Sequence, residues 1–127
     1  MHIAITLPLH LWKQIAIGQK TIELRKTFPQ NFNYRSAVVY VCEEGSDNVL
    51  GYFSVKRFEY ITPKILMNSL LIMMQIGVPA QFLETYAGNS VYLCLWHIKT
   101  AREFKFPMNR NSYLNLSRNP QSIVYVR

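Results

Sequence analysis

The stretch from Ala37 to Tyr60 most narrows what this chain can fold into. Two runs rich in β-branched and aromatic residues, Ala37 to Cys42 and Val49 to Tyr60, flank the turn Gly45-Ser46-Asp47-Asn48. That arrangement predicts a hairpin. A hairpin leaves open edges, and other runs can pair with them. Ile3 to Thr6, Lys20 to Lys26, Ser90 to Lys99, Arg102 to Phe106 and Ser122 to Val126 all read as strands. In the second of these, Ile22 and Leu24 take one face, and Thr21, Glu23 and Arg25 the other, by period-two alternation.

Helices interrupt the strands. Pro8 suits the first turn of a helix carrying Leu11, Trp12, Ile15 and Ala16, and Gly18 suits the left-handed position that ends it. Thr62-Pro63 opens a second helix predicted to reach Gln75, before Gly77. Pro79 opens a third, ending at Gly88. Asn109 to Pro120 reads as an irregular basic stretch. Short turns between most strands, with few helices, predict an α+β domain around a curled, largely antiparallel sheet.

With 127 residues, residues 1–127 are expected to form one domain around one core. Half the residues are apolar, which excludes a disordered segment. Ile65 to Val78 is the most apolar run, but it is too short for a bilayer, which needs roughly 20 residues. The beginning lacks a charged leader, so a cytoplasmic location without membrane contact is expected. Cys42 and Cys94 are then expected to be reduced thiols that pack as small hydrophobes.

Lys and Arg number 14 against 7 Asp and Glu, a net charge of +7. From Lys99 onward, Lys99, Arg102, Lys105, Arg110, Arg118 and Arg127 are opposed only by Glu103. This imbalance favours a polyanionic partner, because neutralising phosphates releases counterions. Solubility from net charge is the alternative. Basic residues also interleave with aromatics at Lys56-Arg57-Phe58, from Arg102 to Phe106 and from Arg110 to Tyr113, a pattern that suits single-stranded nucleic acid. Strand alternation explains the phenylalanines equally well.

The octamer Gly18-Gln19-Lys20-Thr21-Ile22-Glu23-Leu24-Arg25 resembles the G-x-K-x-x-E-x-R signature of ASCH domains. Three further segments resemble the family in its order: Leu83, Tyr86 and Gly88 leading into Val91 to Ile98, then Phe104 to Pro107, then Pro120 to Val126. The resemblance implies a curled, mixed or antiparallel β-barrel of the PUA-like group with two to three helices. It also implies an RNA-binding heritage and a cleft around Lys20, Glu23 and Arg25.

A base offers flat faces and a polar edge. A cytosine-like edge asks for an acceptor towards its amine and a donor towards its carbonyl. Glu23 can accept, Arg25 or Lys20 can donate, and Arg25 can hold Glu23 by an ion pair. An ordinary exposed pair, worth about 0–1 kcal/mol, is the alternative for Glu23 and Arg25. The ligand-binding candidates are therefore Gly18, Lys20, Glu23 and Arg25, with Arg110 and Arg118 from the basic third. The expected partner is RNA or a modified nucleoside.

An enzyme is the second reading. Lys20 can be a catalytic amine, a phosphate contact or plain surface charge. Some small ASCH proteins that this chain resembles deacetylate N4-acetylcytidine, with a threonine where Glu23 stands and a helix glutamate to which Glu84 cannot be aligned. Longer members are proposed to cleave RNA with the motif lysine and a C-terminal serine, for which Ser122 is the candidate. The catalytic candidates are thus Lys20, Glu23 and Ser122. A protein-interaction module is the third reading.

His2, His10 and His97 are far apart and no Cys-x-x-Cys occurs, so no metal is expected. With one aspartate, Asp47, an acidic two-metal nuclease is excluded. No glycine-rich phosphate loop appears, and no cofactor is expected.

Overall fold

The computed structural model describes residues 1–127. Six strands, β1 (His2–Leu7), β2 (Ile22–Arg25), β3 (Val39–Glu43), β4 (Asn48–Ile61), β5 (Leu93–Asn109) and β6 (Val124–Val126), form one sheet in the order β2-β5-β4-β3-β1-β6. Only β1 and β3 run parallel, so the sheet is mixed. The predicted hairpin is β3–β4. β4 and β5 pair from Asn48 opposite Asn109 to Ile61 opposite Leu93. The two strands expected after Ser90 are therefore one long strand.

The sheet is curled but not closed into a barrel, because β2 and β6 each lack an outer neighbour. Five helices accompany it rather than two or three: α1 (Leu9–Ala16), α2 (Pro63–Met67), α3 (Leu70–Ile76), α4 (Ala80–Ala87) and α5 (Arg110–Leu114). Two causes account for the difference. The helix expected from Thr62 to Gln75 breaks at Asn68-Ser69, where the Ser69 hydroxyl accepts the Ile72 N–H and starts α3. The basic stretch after Asn109 contains α5, which Asn109 caps by accepting the Ser112 N–H. Pro8 is the residue before α1 and not within it.

Ser69→Ala is expected to cost about 1 kcal/mol, the usual worth of such a cap. Urea denaturation measures it, and an unchanged midpoint would show that the cap does not hold the break.

α1 lays Trp12 and Ile15 against Ile3, Ile5, Phe53 and Trp96 on the inner sheet face. α2, α3 and α4 cover β2 and the start of β5, enclosing Ile22, Leu66, Ile76, Leu83 and Leu95. On the outer face, Leu114 and Val126 cover Ala4, Cys42 and Val49. Cys42 and Cys94 are buried free thiols, and burial pushes both up to about 11. No helix is long and apolar enough to cross a membrane.

Candidate functional site

The octamer folds as the end of a helix, a reversal and a strand. After α1, Gly18 takes φ +82°, and the Gln19 and Lys20 amides both donate to the Gln14 carbonyl. The Thr21 amide then donates to the Gln75 carbonyl, tying the reversal to α3. This brings Lys20 to the carboxyl end of α3. Its Nζ donates to the Ile76 carbonyl at 2.6 Å and the Ile22 carbonyl at 2.7 Å, and lies 3.4 Å from Glu23 Oε1. Unpaired helix-end carbonyls are natural partners for an ammonium.

Glu23 holds a cation at each oxygen. Lys20 lies beside Oε1, and Arg25 Nε donates to Oε2 at 2.7 Å. Lys20 and Glu23 are only 2% and 4% exposed. The alternation correctly set Ile22 and Leu24 apart from Glu23. It did not reveal that β2 is covered on both faces. Burial lowers the pKa of Lys20 from the usual lysine value, and the attraction of Glu23 opposes the shift.

These three residues line an open hollow of about 560 Å³. Leu7, His10 and Leu11 form one wall, from the end of β1 and the start of α1. Ile76, Val78, Phe82 and Tyr86 form the other, from the end of α3, the turn after it and α4. Exposed Glu44 and Gln121 lie at the rim. Phe82 and Tyr86 stack with their planes 8° apart and centroids separated by 6.0 Å. Burial raises the pKa of the Tyr86 hydroxyl, and Arg25 pulls it back. α1 and α4 both begin after prolines that line the hollow, Pro8 and Pro79, and neither has a side-chain cap. Their first amides are thus left as donors.

Three further candidates lie elsewhere. Ser122 is exposed and does not line the hollow, although its neighbour Gln121 does. Arg118 is exposed and outside it. Arg110 is buried, and all five guanidinium hydrogens are spent on Leu116, Ser46, Asn119, Asp47 and Ser117. It braces the turn before β4 against the chain after α5. The expected role as a ligand contact gives way to that structural one. Glu84 does not line the hollow, and Gly18 acts through its backbone alone.

The residues that sequence reasoning missed are Phe82, His10, Glu44 and Gln121. For Phe82 a signal existed, since Phe82 and Tyr86 stand four apart on one helix and so share a face. Nothing local marks the others, which reach the hollow through tertiary placement. No cluster of three or more His, Cys, Asp or Glu side chains is present that would hold a metal ion.

No protein-family model matches the chain, and no curated protein matches it by sequence. Solved structures do. The chain is similar to ASCH from Zymomonas mobilis, at 18% identity and TM-score 0.82, over 99% of this chain and 87% of that one. A serine-to-alanine variant of the same protein gives 17% identity and TM-score 0.84, over 99% and 88%. The hypothetical protein PH0355 is more distant, at 14% identity and TM-score 0.54, over 85% and 100%. At such identities the likeness speaks for the fold, an α+β architecture around a curled mixed sheet.

Proposed function

We propose that this chain, which has the fold of an ASCH domain, is a single-domain member of that family that binds a nucleobase carried by RNA or by a free modified nucleoside. One observation carries the reading: Lys20, Glu23 and Arg25 converge on one open hollow walled by a stacked aromatic pair. The base lies against Phe82 and Tyr86, where stacking is tolerant of base identity. Its edge meets Glu23, which accepts from an exocyclic amine, and the Nη hydrogens of Arg25, which donate to a ring carbonyl.

Lys20 serves this arrangement indirectly. Two of its N–H groups are spent on the Ile22 and Ile76 carbonyls, and the ammonium stands 3.4 Å from Glu23, so it fixes the carboxylate. That internal engagement favours binding over catalysis. One observation favours the enzyme reading: burial moves the Lys20 amine in the direction a general base needs. Turnover of N4-acetylcytidine or RNA in EDTA, lost in Lys20→Ala, would establish it.

Calorimetric titration of cytidine, N4-acetylcytidine and a short single-stranded RNA tests the binding reading. Arg25→Ala is expected to weaken binding ten- to a hundredfold, the worth of a charge-assisted hydrogen bond at about 1.5–3 kcal/mol. Should none of the three bind the unmodified protein, or should Arg25→Ala bind as well, the reading fails.

A further inference from the structure

The chain's excess positive charge does not serve the hollow. Its lining has two cations, Lys20 and Arg25, against two carboxylates, Glu23 and Glu44. The +7 of the whole chain therefore lies outside it. Five of the six basic residues from Lys99 onward, namely Lys99, Arg102, Lys105, Arg118 and Arg127, are exposed and make no ion pair. The one acid in that third, Glu103, is held by Lys13 and the Trp12 indole N–H.

The same elements carry a second feature. Tyr40, Tyr52, Phe104 and Tyr113 form a closed cycle of ring contacts, with successive centroids 5.9, 6.0, 5.5 and 5.7 Å apart. Tyr52 alternates with Phe53, which packs on Trp12 inside, so the cycle sits on the outer face of the sheet. Its four rings are half-buried to exposed, with Tyr113 at 41%. Arg102 stands directly opposite Tyr52 in the β4–β5 register and two residues before Phe104, on that same face. Beside it, Ser54 and Thr100 share a hydroxyl hydrogen bond at 2.7 Å.

Tyr40 and Phe104 pack on the outer core around Leu114 and Val126, which leaves the open parts of Tyr52 and Tyr113 as apolar surface that a flat partner can cover. Unpaired cations on β5 and in the chain after α5, with Arg102 on the face itself, point to an anionic partner. Flat faces joined by a negatively charged backbone describe single-stranded nucleic acid. We infer that the outer face of β3, β4 and β5, from Tyr40 to Arg102 with Tyr113 beside it, is a second site, one that binds single-stranded RNA through base stacking and phosphate contacts. This site is separate from the hollow and does not depend on what the hollow holds.

Fluorescence anisotropy of a labelled twelve-nucleotide oligouridine tests it. Arg102→Ala and Tyr113→Ala both alter exposed positions, and circular dichroism confirms that each variant folds. Each is expected to weaken binding about tenfold. Arg102→Ala should also flatten the salt dependence by about one phosphate contact. Lys56→Ala, which removes an exposed charge from a different stretch of β4, should change affinity less than about twofold. Three outcomes would overturn the inference. The oligouridine does not bind, or Lys56→Ala weakens it as much as Arg102→Ala, which reduces binding to general charge attraction. The third is Tyr113→Ala having no effect while polyglutamate competes as well as RNA, which assigns the face to an acidic protein.

Discussion

Glu23→Ala is expected to cost the folded chain about 3–5 kcal/mol at pH 7, the usual penalty for stripping a buried charge of its partner. In the native chain the carboxylate neutralises Lys20, which is 2% exposed and held by the Ile76 carbonyl at the end of α3. Arg25 is better placed to escape, since 15% of its side chain already reaches solvent. Lys20 is thus the group that suffers, and its titration gives the prediction a pH signature. Burial holds its folded pKa below the usual lysine value of 10.5, and Glu23 opposes that shift. Removing Glu23 lowers the folded pKa further. Between the folded and unfolded values the unfolded chain binds a proton that the folded chain lacks, so stability rises with pH across that window. The window is wider in the variant. Its deficit against the unmodified chain should therefore shrink as pH climbs towards 10.5. Urea denaturation at pH 7 and pH 9.5 measures both effects. A deficit at pH 7 under about 1 kcal/mol, or one that grows with pH, would mean that the carboxylate does not support the lysine.

The same residue shows how far the sequence is legible. Alternation from Thr21 to Arg25 separated the apolar face of β2 from the polar one, and the structure keeps that separation. Alternation is blind to a second covering layer, so it left Glu23 and Lys20 open to being surface charge. Their burial comes from α3, whose carboxyl end at Ile76 meets Lys20 from 56 residues later in sequence. The hairpin, the start of α4 and the glycines that end α1, α3 and α4 were readable because turn and cap chemistry is local. The break between α2 and α3 was locally signalled by Ser69 but masked by the apolar residues around it. Arg110 was unreadable in principle. An arginine in a basic stretch carries the same charge whether it meets phosphate or five internal acceptors, and only the fold distinguishes the two. Seven strands were expected and six form, because the runs on either side of Thr100 are one strand, and the barrel does not close, because the pairing of β2 and β6 depends on curvature that no single segment encodes.

Gly51→Ala is expected to be the most damaging small change in the sheet, at about 3 kcal/mol or more. Gly51 lies in β4 opposite Glu103, next to a register shift between Val49 and Gly51. A β-carbon built there would stand 2.6 Å from Trp12 Cζ2 and 3.1 Å from Glu103 Cα, and closer still to the Arg102 carbonyl oxygen. None of these neighbours can yield cheaply. Two are backbone atoms of the paired strand. The third belongs to an indole that is fully buried and pinned by its hydrogen bond to Glu103 at 3.2 Å. The methyl must therefore push α1 off the sheet or unpair β4 from β5. An isolated glycine within a strand often marks such a close approach. Thermal unfolding should show a loss of about 10 °C for a domain of this size. Trp12→Phe removes the clashing edge of the indole. Combined with Gly51→Ala, it should cost less than the sum of the two single changes, the coupling expected of residues in contact. A Gly51→Ala midpoint within about 2 °C of the unmodified chain would show that α1 rests on the sheet with room to spare.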